Sequence, residues 1–220
     1  MIILSHWGCW RDPAEQNGEA AFRRSFDLGF GTKADVRDSG GRLVVSHGLP
    51  RGGEMPLEDF LGLARERRLP LAMGVRAGGL AAALRQAMEA HGVDDWFACD
   101  MSVPDMPAHL HAGVPVFSRM SEMEPEPAWF DHAAGIWLDA FSRAWYDADL
   151  ITLLLRQGKR VCVASPELRY RKPYSLWRML APLARYPRLM LCTDLPEAAR
   201  RFFAAAQDAD TRRACGEAQV

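Results

Sequence analysis

The sequence predicts an α/β protein, a compact (β/α)8 TIM barrel that fills one domain. Eight short apolar segments alternate with helical patterns, which is typical of parallel strands joined by crossover helices. The chain has 220 residues, and roughly 200 residues is about the lower limit of that fold. Neither a GxGxxG nor a GxxxxGK[ST] sequence occurs, so an open nucleotide-binding sheet is the weaker alternative.

The strands are predicted where short apolar runs stand between polar turns. These runs are residues 2–5, 31–36, 71–76, 96–100, 114–118, 135–139, 160–164 and 189–193. Residues 43–46 extend the second strand or pair with it as a hairpin.

The helices are predicted where apolar residues recur at helical spacing between the strands. These patterns cover residues 19–28, 57–67, 80–91, 146–157, 174–185 and 196–206. The fourth and fifth crossovers are therefore short. We expect one domain over residues 1–206 and a C-terminal tail at 207–220 that can fray.

The composition is that of an ordinary globular protein, with 49% apolar and 25% charged residues. A net charge of −1 gives no electrostatic case for a nucleic-acid partner or for a polybasic membrane-surface protein. Apolar runs such as 151–155 are far shorter than the roughly 20 residues that span a bilayer. No secretory signal is visible at the N-terminus, so a cytoplasmic location is expected.

Five cysteines are scattered along the chain without a CxxC pair. An odd number at these spacings argues against both a disulfide framework and a zinc site. We interpret most of them as reduced thiols in the core.

Two histidines follow predicted strands at the end where barrel enzymes carry their reactive groups. His6 follows the first strand, and His47 follows the extended run after the second. One imidazole of such a pair can take a proton from an attacking oxygen while the other gives one to a leaving alcohol, as phosphodiester cleavage requires. A lone histidine is more often structural, but a pair at neighbouring strand ends is as consistent with catalysis as with a structural role.

Several stretches carry a family resemblance. Ser5-His6-Trp7-Gly8 is similar to a strand-one His-Arg-Gly, and residues 15–22 are similar to Glu-Asn-Thr-x-x-Ala-Phe. Residues 29–47 follow Gly…Glu-x-Asp-Val…Asp-Gly…Val-Val-x-His, and residues 193–196 read Thr-Asp-Leu-Pro. In order and spacing these stretches resemble the glycerophosphodiester phosphodiesterases, whose barrel is of the PLC-like phosphodiesterase type.

The resemblance implies Mg²⁺ or Ca²⁺ held by three carboxylates, and this chain departs from it at those positions. The Glu-x-Asp of strand two reads Lys33-Ala34-Asp35, and the Glu-x-Lys of strand three reads Gly74-Val75-Arg76. Only Asp35 remains as a possible metal ligand. Since a hard divalent cation needs several oxygen ligands, Asp35 beside Lys33 predicts a poor metal site.

The predicted mechanism is a phosphodiester cleavage that needs little or no metal. His6 and His47 act as general acid and base in an order that the sequence leaves open. Asp35 orients a histidine or holds Lys33, while Lys33 and Arg76 bind the phosphate and offset its charge as a metal would. The bacterial phosphatidylinositol-specific phospholipases C look like a precedent, because they use an arginine where relatives hold calcium.

Other polar residues have two interpretations each. Asn17 contacts the substrate phosphate or caps the helix after it. Asp194, with Glu197 three residues later, is interpreted as a helix start. His109 and His111 are interpreted as surface residues. Further polar groups at strand ends can rebuild a site: Asp100, Arg119, Asp139, Ser165 and Glu167.

The main hypothesis is a hydrolase of small-molecule phosphodiesters, and two rival hypotheses remain open. In the first, Lys33, Asp35 and Arg76 neutralise one another in a barrel that has lost its activity and binds a phosphorylated ligand or a partner. In the second, Arg76 lowers the pKa of Lys33, which then forms a Schiff base with a carbonyl substrate. The sequence leaves the oligomeric state open.

Overall fold

Eight parallel strands curve into a nearly closed barrel with helices packed around it, as the sequence predicts. The computed structural model describes residues 1–65 and 67–217. The strands are β1 (Ile2–His6), β2 (Gly31–Ser39), β3 (Arg42–Val45), β4 (Leu71–Val75), β5 (Trp96–Cys99), β6 (Phe117–Met120), β7 (Gly135–Leu138), β8 (Arg160–Ala164) and β9 (Leu189–Thr193). The helices are α1 (Glu19–Asp27), α2 (Leu57–Ala64), α3 (Ala81–Ala90), α4 (Met106–His111), α5 (Ala148–Arg156), α6 (Tyr174–Leu180) and α7 (Pro196–Glu217).

The strands follow one another around the barrel in the order β5-β4-β2-β1-β9-β8-β7-β6. A single parallel bridge between Ala98 and Val116 joins β5 to β6 and closes the ring. All eight barrel strands run in the same direction, so their carboxyl ends meet at one mouth.

The ninth strand is the hairpin partner that the sequence allowed after β2. β2 continues past the barrel, and Gly40 and Gly41, with φ of +61° and +83°, make the tight turn that β-branched residues could not. β3 returns antiparallel, with Val45 opposite Val36. The amide of Ser46 then donates to the carbonyl oxygen of Asp35 at 2.9 Å. The hairpin thus brings the next residue, His47, back to the mouth.

Several elements differ from the sequence prediction: β2 continues to Ser39, α2 ends at Ala64, and α4 lies in a crossover for which no helix was predicted. β6 lies at Phe117–Met120 rather than at 114–118, and α6 ends at Leu180 because Pro182 lies in the short 3-10 helix that follows it. The described crossover from β6 to β7 carries only a 3-10 helix, Phe130–His132, which agrees with the prediction that this crossover is short. α7 continues to Glu217, further than the predicted end at 206, and residues 218–220 lie outside the described part.

Side chains alternate between the barrel interior and the helix layer along each strand. Leu4, Phe97, Phe117, Trp137 and Met190 fill the interior, where the rings of Phe97 and Phe117 stack at 3.7 Å. Because alternate residues share a face, the inward positions beyond this apolar layer lie at the mouth. They are the polar and charged residues of the candidate site.

The cysteines whose side chains are described, at positions 9, 99, 162 and 192, are buried free thiols, as expected. None of the described helices combines the length and the apolarity that crossing a membrane requires.

Candidate active site

The carboxyl ends of the strands surround a cavity of about 660 Å³. Its lining includes four residues of the predicted mechanism, His6, Lys33, His47 and Arg76, together with Asp100, Asp139, Glu167 and Asp194. A second groove of about 1040 Å³ adjoins it between α1, α2 and the hairpin, and contains Asn17. The barrel therefore brings the predicted residues to one mouth.

Two cations and two carboxylates alternate at the floor of this cavity. The Lys33 Nζ lies 2.6 Å from Asp35 Oδ1 and 3.2 Å from Asp100 Oδ2. The Arg76 guanidinium spans the same oxygens, with Nε 3.1 Å from Asp35 Oδ1 and Nη2 3.0 Å from Asp100 Oδ2. Lys33 and Asp35 are buried, whereas Arg76 is partly exposed to the cavity. We call these four residues the ion cluster.

The ion cluster holds its members in their charged forms. Burial lowers the pKa of Lys33, but the attraction of Asp35 and Asp100 outweighs it and raises that pKa above its ordinary value. Burial raises the pKa of each carboxyl group, yet Lys33 and Arg76 hold both pKa values below the ordinary range. The cluster therefore has no net charge at neutral pH.

Gly74 gives the ion cluster its space. A Cβ at this position would lie 2.1 Å from Asp35 Oδ1 and 2.7 Å from Lys33 Nζ, closer than real contacts allow. In the resemblance, this is the position of the third metal carboxylate. A side chain at position 74 and the Lys33 ammonium in its present place exclude each other, because the two would occupy the same volume.

His47 contacts the ion cluster through Asp35. Its Nδ1 lies 2.7 Å from Asp35 Oδ2, and the Trp7 indole donates to the same oxygen at 3.0 Å. The carboxylate can only accept a hydrogen bond, so His47 Nδ1 carries the proton and Nε2 is the free nitrogen. Asp35 thus orients His47 and also holds Lys33, the two roles between which the sequence left a choice.

His6 has a carboxylate partner that the sequence did not identify. Its Nδ1 lies 3.0 Å from Asp194 Oδ1, so Nδ1 donates and Nε2 is left with a lone pair. Burial and the charge of Lys33 lower the pKa of His6, although Asp194 raises it. The imidazole is therefore neutral at pH 7, the form that accepts a proton.

Asp194 is itself held in place by a half-buried acid, Glu167. Its amide donates to Glu167 Oε1 at 3.2 Å, the Thr193 hydroxyl donates to the same oxygen, and Ser165 donates to Oε2 at 2.6 Å. Burial raises the pKa of Glu167. The interpretation of Asp194 as a helix start is wrong, because α7 begins at Pro196 and the carboxylate turns to His6. Only the match of 193–196 to the resembled family signalled it.

Trp7 stands where the resembled family has arginine, and it packs against both imidazoles. The ring centroids lie 4.0 Å from His6 and 4.7 Å from His47. Its backbone is left-handed, with φ of +59°, and Gly8 follows with φ of +86°. A Cβ on Gly8 would lie 2.7 Å from the Ala21 backbone, so this turn requires glycine.

Asn17 serves the site rather than a helix end. The N-cap of α1 is Gly18, so the capping interpretation of Asn17 is wrong. The Asn17 Oδ1 accepts from the Asp35 amide at 3.4 Å and so supports the strand end that carries Asp35.

Of the other predicted strand-end groups, Ser165 and Glu167 support Asp194, and the rest pair with charged residues outside the predicted set. Asp139 is bound by Arg169 at 2.7 Å, and Arg119 by Glu124. Trp137 is buried in the barrel interior, with the Lys33 Nζ 5.8 Å from its ring centroid. His109 is buried rather than on the surface, because its short helix turns that side chain inward, while His111 is exposed.

The side chains present do not fit a divalent cation of the family type. Asp35 Oδ1 already accepts from Lys33 and forms an ion pair with Arg76, and Oδ2 accepts from His47 and Trp7. The Lys33 ammonium occupies the space between Asp35 and Asp100 that a cation would need, and Gly74 supplies no ligand. Among the residues with described side chains, no group of three or more metal-ligating side chains comes together.

Comparison with known proteins supports the fold. A glycerophosphodiester phosphodiesterase from Agrobacterium tumefaciens str. C58 superposes with a TM-score of 0.68 at 18% identity, covering 93% of this chain and 99% of that one. A glycerophosphoryl diester phosphodiesterase from Parabacteroides distasonis gives 0.53 at 12%, covering 93% and 86%. The chain is a (β/α)8 TIM barrel similar to these proteins in fold.

Barrels of other activities are also similar. A dihydropteroate synthase from Anaplasma phagocytophilum gives a TM-score of 0.54 at 15% identity, covering 94% of this chain and 98% of that one. No family model and no curated protein matches the sequence. Function must therefore be argued from the residues of the mouth.

Proposed function

We propose that this protein hydrolyses a small-molecule phosphodiester, with His6 as general base and His47 as general acid. One observation carries the proposal: two imidazoles share a mouth, and each has its Nδ1 against a carboxylate, Asp194 for one and Asp35 for the other. A carboxylate behind each ring fixes the tautomer and stabilises the protonated form that proton transfer creates. The Nε2 atoms remain for the substrate.

The assignment of base and acid follows from the two environments. His6 is nearly buried and its pKa is lowered, so at neutral pH it is ready to take a proton from the attacking oxygen. His47 has 56% of its side chain exposed, which suits a group that meets a leaving alcohol at the rim. In this mechanism His47 enters the step as the imidazolium, with Nδ1–H donating to Asp35 and Nε2–H facing the cavity. As the bond from phosphorus to the alcohol breaks, the Nε2 proton of His47 passes to the alkoxide while His6 takes a proton from the attacking oxygen. The proton on His6 then returns to His47 through solvent, which restores both starting forms.

Arg76 is the phosphate ligand that the geometry supports best. Its guanidinium reaches the cavity, whereas Lys33 lies at the floor with both carboxylates of the ion cluster. A fixed guanidinium can stabilise charge on the non-bridging oxygens, as a cation would. Lys33 contributes by keeping Asp35 ionised and in place behind His47. Contacts of Lys33 and Asn17 with the phosphate remain part of the proposal.

The test is hydrolysis of bis(p-nitrophenyl) phosphate, glycerophosphocholine and lysophospholipids, with EDTA and with added Mg²⁺ or Ca²⁺. We expect turnover that persists in EDTA and falls by roughly 10²–10⁴-fold in each of the variants His6→Ala and His47→Ala. His111→Ala, which removes an exposed histidine of α4, is the matched control and leaves turnover unchanged. Activity that survives in both mouth variants refutes the proposed roles. A cyclic product would identify a substrate hydroxyl, rather than water, as the attacking group.

A second candidate function is binding of a phosphorylated ligand without cleavage. The neutrality of the ion cluster favours binding without cleavage, because Asp35 and Asp100 already neutralise the charges of Lys33 and Arg76. A thermal shift on adding glycerophosphocholine, with no product under any metal condition, would select this candidate. Under either function we propose that the protein is located in the cytoplasm.

The Schiff-base hypothesis loses its chemical basis. It needs a neutral lysine amine, but the two carboxylates of the ion cluster raise the pKa of Lys33 rather than lower it. We therefore expect no trapping of a carbonyl substrate by borohydride.

A further inference from the structure

One indole ring contacts both imidazoles of the mouth. The Trp7 ring is stacked on His6, with the two planes 27° apart, and tilted against His47, with the planes 53° apart. The ring centroids are separated by 4.0 Å and 4.7 Å respectively. Aromatic rings at these separations are in direct contact. The position of the indole therefore limits where each imidazole can lie.

The indole is also tied to the carboxylate behind His47. Its Nε1 donates to Asp35 Oδ2 at 3.0 Å, and His47 Nδ1 lies 2.7 Å from the same oxygen. Two donors on one oxygen fix the edges of the two rings relative to each other. His47 depends on such contacts, because it lies in the segment after the hairpin and 56% of its side chain is exposed. Asp35 and Trp7 thus hold a ring that its own segment leaves in the open.

The backbone of Trp7 is fixed on both sides. Its amide donates to the Lys33 carbonyl oxygen at 2.9 Å, and its own carbonyl oxygen accepts from the Asn17 amide at 3.1 Å. Its φ of +59° is uncommon for an aromatic residue, whereas glycine and asparagine adopt this conformation more readily. Residues held in such conformations cluster at functional sites. The turn does not require tryptophan, so the role of Trp7 lies in its ring.

The indole lies where positive charge moves during the proposed reaction. The charge is on His47 before the step and on His6 after it. The face of a tryptophan ring attracts a cation within about 6 Å of its centroid, and both imidazoles lie within that distance. The same indole therefore contacts the charged ring at the start and at the end of the proton transfer.

We propose that Trp7 is a positioning residue, which holds both imidazoles in the arrangement that proton transfer requires and stabilises positive charge on whichever ring carries it. The catalytic part of this inference rests on the proposed function. The ring contacts themselves can be measured without turnover.

Other charged groups also face the two imidazoles. At His6 they are Asp194, Lys33 and Asp35. At His47 they are Asp35, the Arg37 guanidinium at the carbonyl oxygen, and Lys33 and Arg76 across the cavity. The groove beside His47 adds Glu19, Arg23, Glu54, Glu58 and Asp59. All of these groups are retained when only Trp7 is replaced, so a difference between two Trp7 variants reports the side chain at position 7.

The first test is proton NMR of the histidine rings in the full chain. A ring proton above an indole face resonates upfield, because the ring current of the indole shields it. We expect upfield ring signals for His6 and His47, assigned with His6→Ala and His47→Ala, and we expect both to move downfield in Trp7→Leu. The matched control is Trp129→Leu, since Trp129 contacts His132 on the crossover from β6 to β7, with the ring centroids 5.9 Å apart. It leaves the signals of His6 and His47 unchanged.

The second test is hydrolysis of bis(p-nitrophenyl) phosphate against pH by the unaltered chain, Trp7→Phe and Trp7→Leu. Both variants lack the N–H that donates to Asp35, and only Trp7→Phe keeps an aromatic face, so their difference measures that face. We expect kcat to fall roughly tenfold or more in Trp7→Leu and to recover largely in Trp7→Phe. KM changes less than about threefold, because Arg76 is retained.

The two limbs of the pH profile separate charge stabilisation from a structural effect. kcat/KM rises as His6 loses its proton and falls as His47 loses its own, so each limb reports one imidazole. We expect both limbs to lie at lower pH in Trp7→Leu than in Trp7→Phe, by roughly half a pH unit. Limbs at the same pH in the two variants overturn the inference even where kcat falls. Circular dichroism verifies that each variant is folded.

The remaining outcomes separate this inference from the proposed function. Signals of His6 and His47 at the position of the exposed His111 overturn it in the unaltered chain, where no variant has to fold. A loss of kcat in Trp129→Leu equal to that in Trp7→Leu also overturns it. Turnover together with unshifted histidine signals overturns this inference and leaves the proposed function standing. Upfield signals without turnover support the ring contacts and refute the proposed function.

Discussion

Replacing Lys33 with methionine tests whether the ion cluster governs the stability of the barrel. The substitution keeps the length of the side chain but leaves two buried carboxylates with one cation. Breaking a buried pair by removing one partner costs about 3–5 kcal/mol. Arg76 still contacts both carboxylates, at 3.1 Å from Asp35 and 3.0 Å from Asp100. We therefore expect the lower end, about 3 kcal/mol, which for a chain of this length lowers Tm by about 6–12 °C.

The assay is urea denaturation followed by tryptophan fluorescence at pH 7 and pH 4.5. In the unaltered chain the pKa values of Asp35 and Asp100 are lowered, so the pairs stabilise the fold above the unfolded carboxyl pKa of 3.8 and lose that effect as pH falls below it. In Lys33→Met these pKa values rise, so protonation begins at higher pH. The stability difference between the two proteins then narrows at pH 4.5.

Two results would refute this reasoning. One is a decrease of less than about 1 kcal/mol in the free energy of unfolding at pH 7. The other is a decrease in that free energy that is equal at pH 7 and pH 4.5. The exposed Lys172 supplies the control, since Lys172→Met removes a surface charge and changes the free energy of unfolding by less than about 0.5 kcal/mol.

The remaining predictions concern the first imidazole and its turn. Asp194→Asn replaces the acceptor of the His6 Nδ1 proton, and we expect kcat/KM to fall by up to about 10⁴-fold with the fold intact; a loss below tenfold would contradict the orienting role. Because the pKa of His6 is lowered, the ascending limb of kcat/KM against pH has its midpoint below 6.5 in the unaltered chain; a midpoint above 6.5 on that limb would exclude His6 as the base. Gly8→Ala places a Cβ 2.7 Å from Ala21 at a φ of +86°, and we expect a loss of about 1–3 kcal/mol in urea denaturation.

Some features of the site follow from local pattern. Side chains two residues apart on a strand share a face, so Lys33 and Asp35 had to point the same way, as did Gly74 and Arg76. The alternation of strands and helices indicated a barrel, and the barrel sends one face of every strand inward. From these two facts the sequence predicts most members of the ion cluster.

Contacts across the mouth depend on closure of the barrel, which local pattern does not encode. Asp100 follows β5 and reaches Lys33 of β2 across the intervening strand β4. Asp194 orients His6 because β1 and β9, at opposite ends of the chain, become neighbours in the ring. His47 returns to Asp35 only through the hairpin after β2. Periodicity determines which face a side chain occupies, whereas the stagger of the closed strands decides which inward residues meet. That physical difference is why the sequence by itself determined the barrel and the two histidines, and only the tertiary structure assigned each histidine its carboxylate.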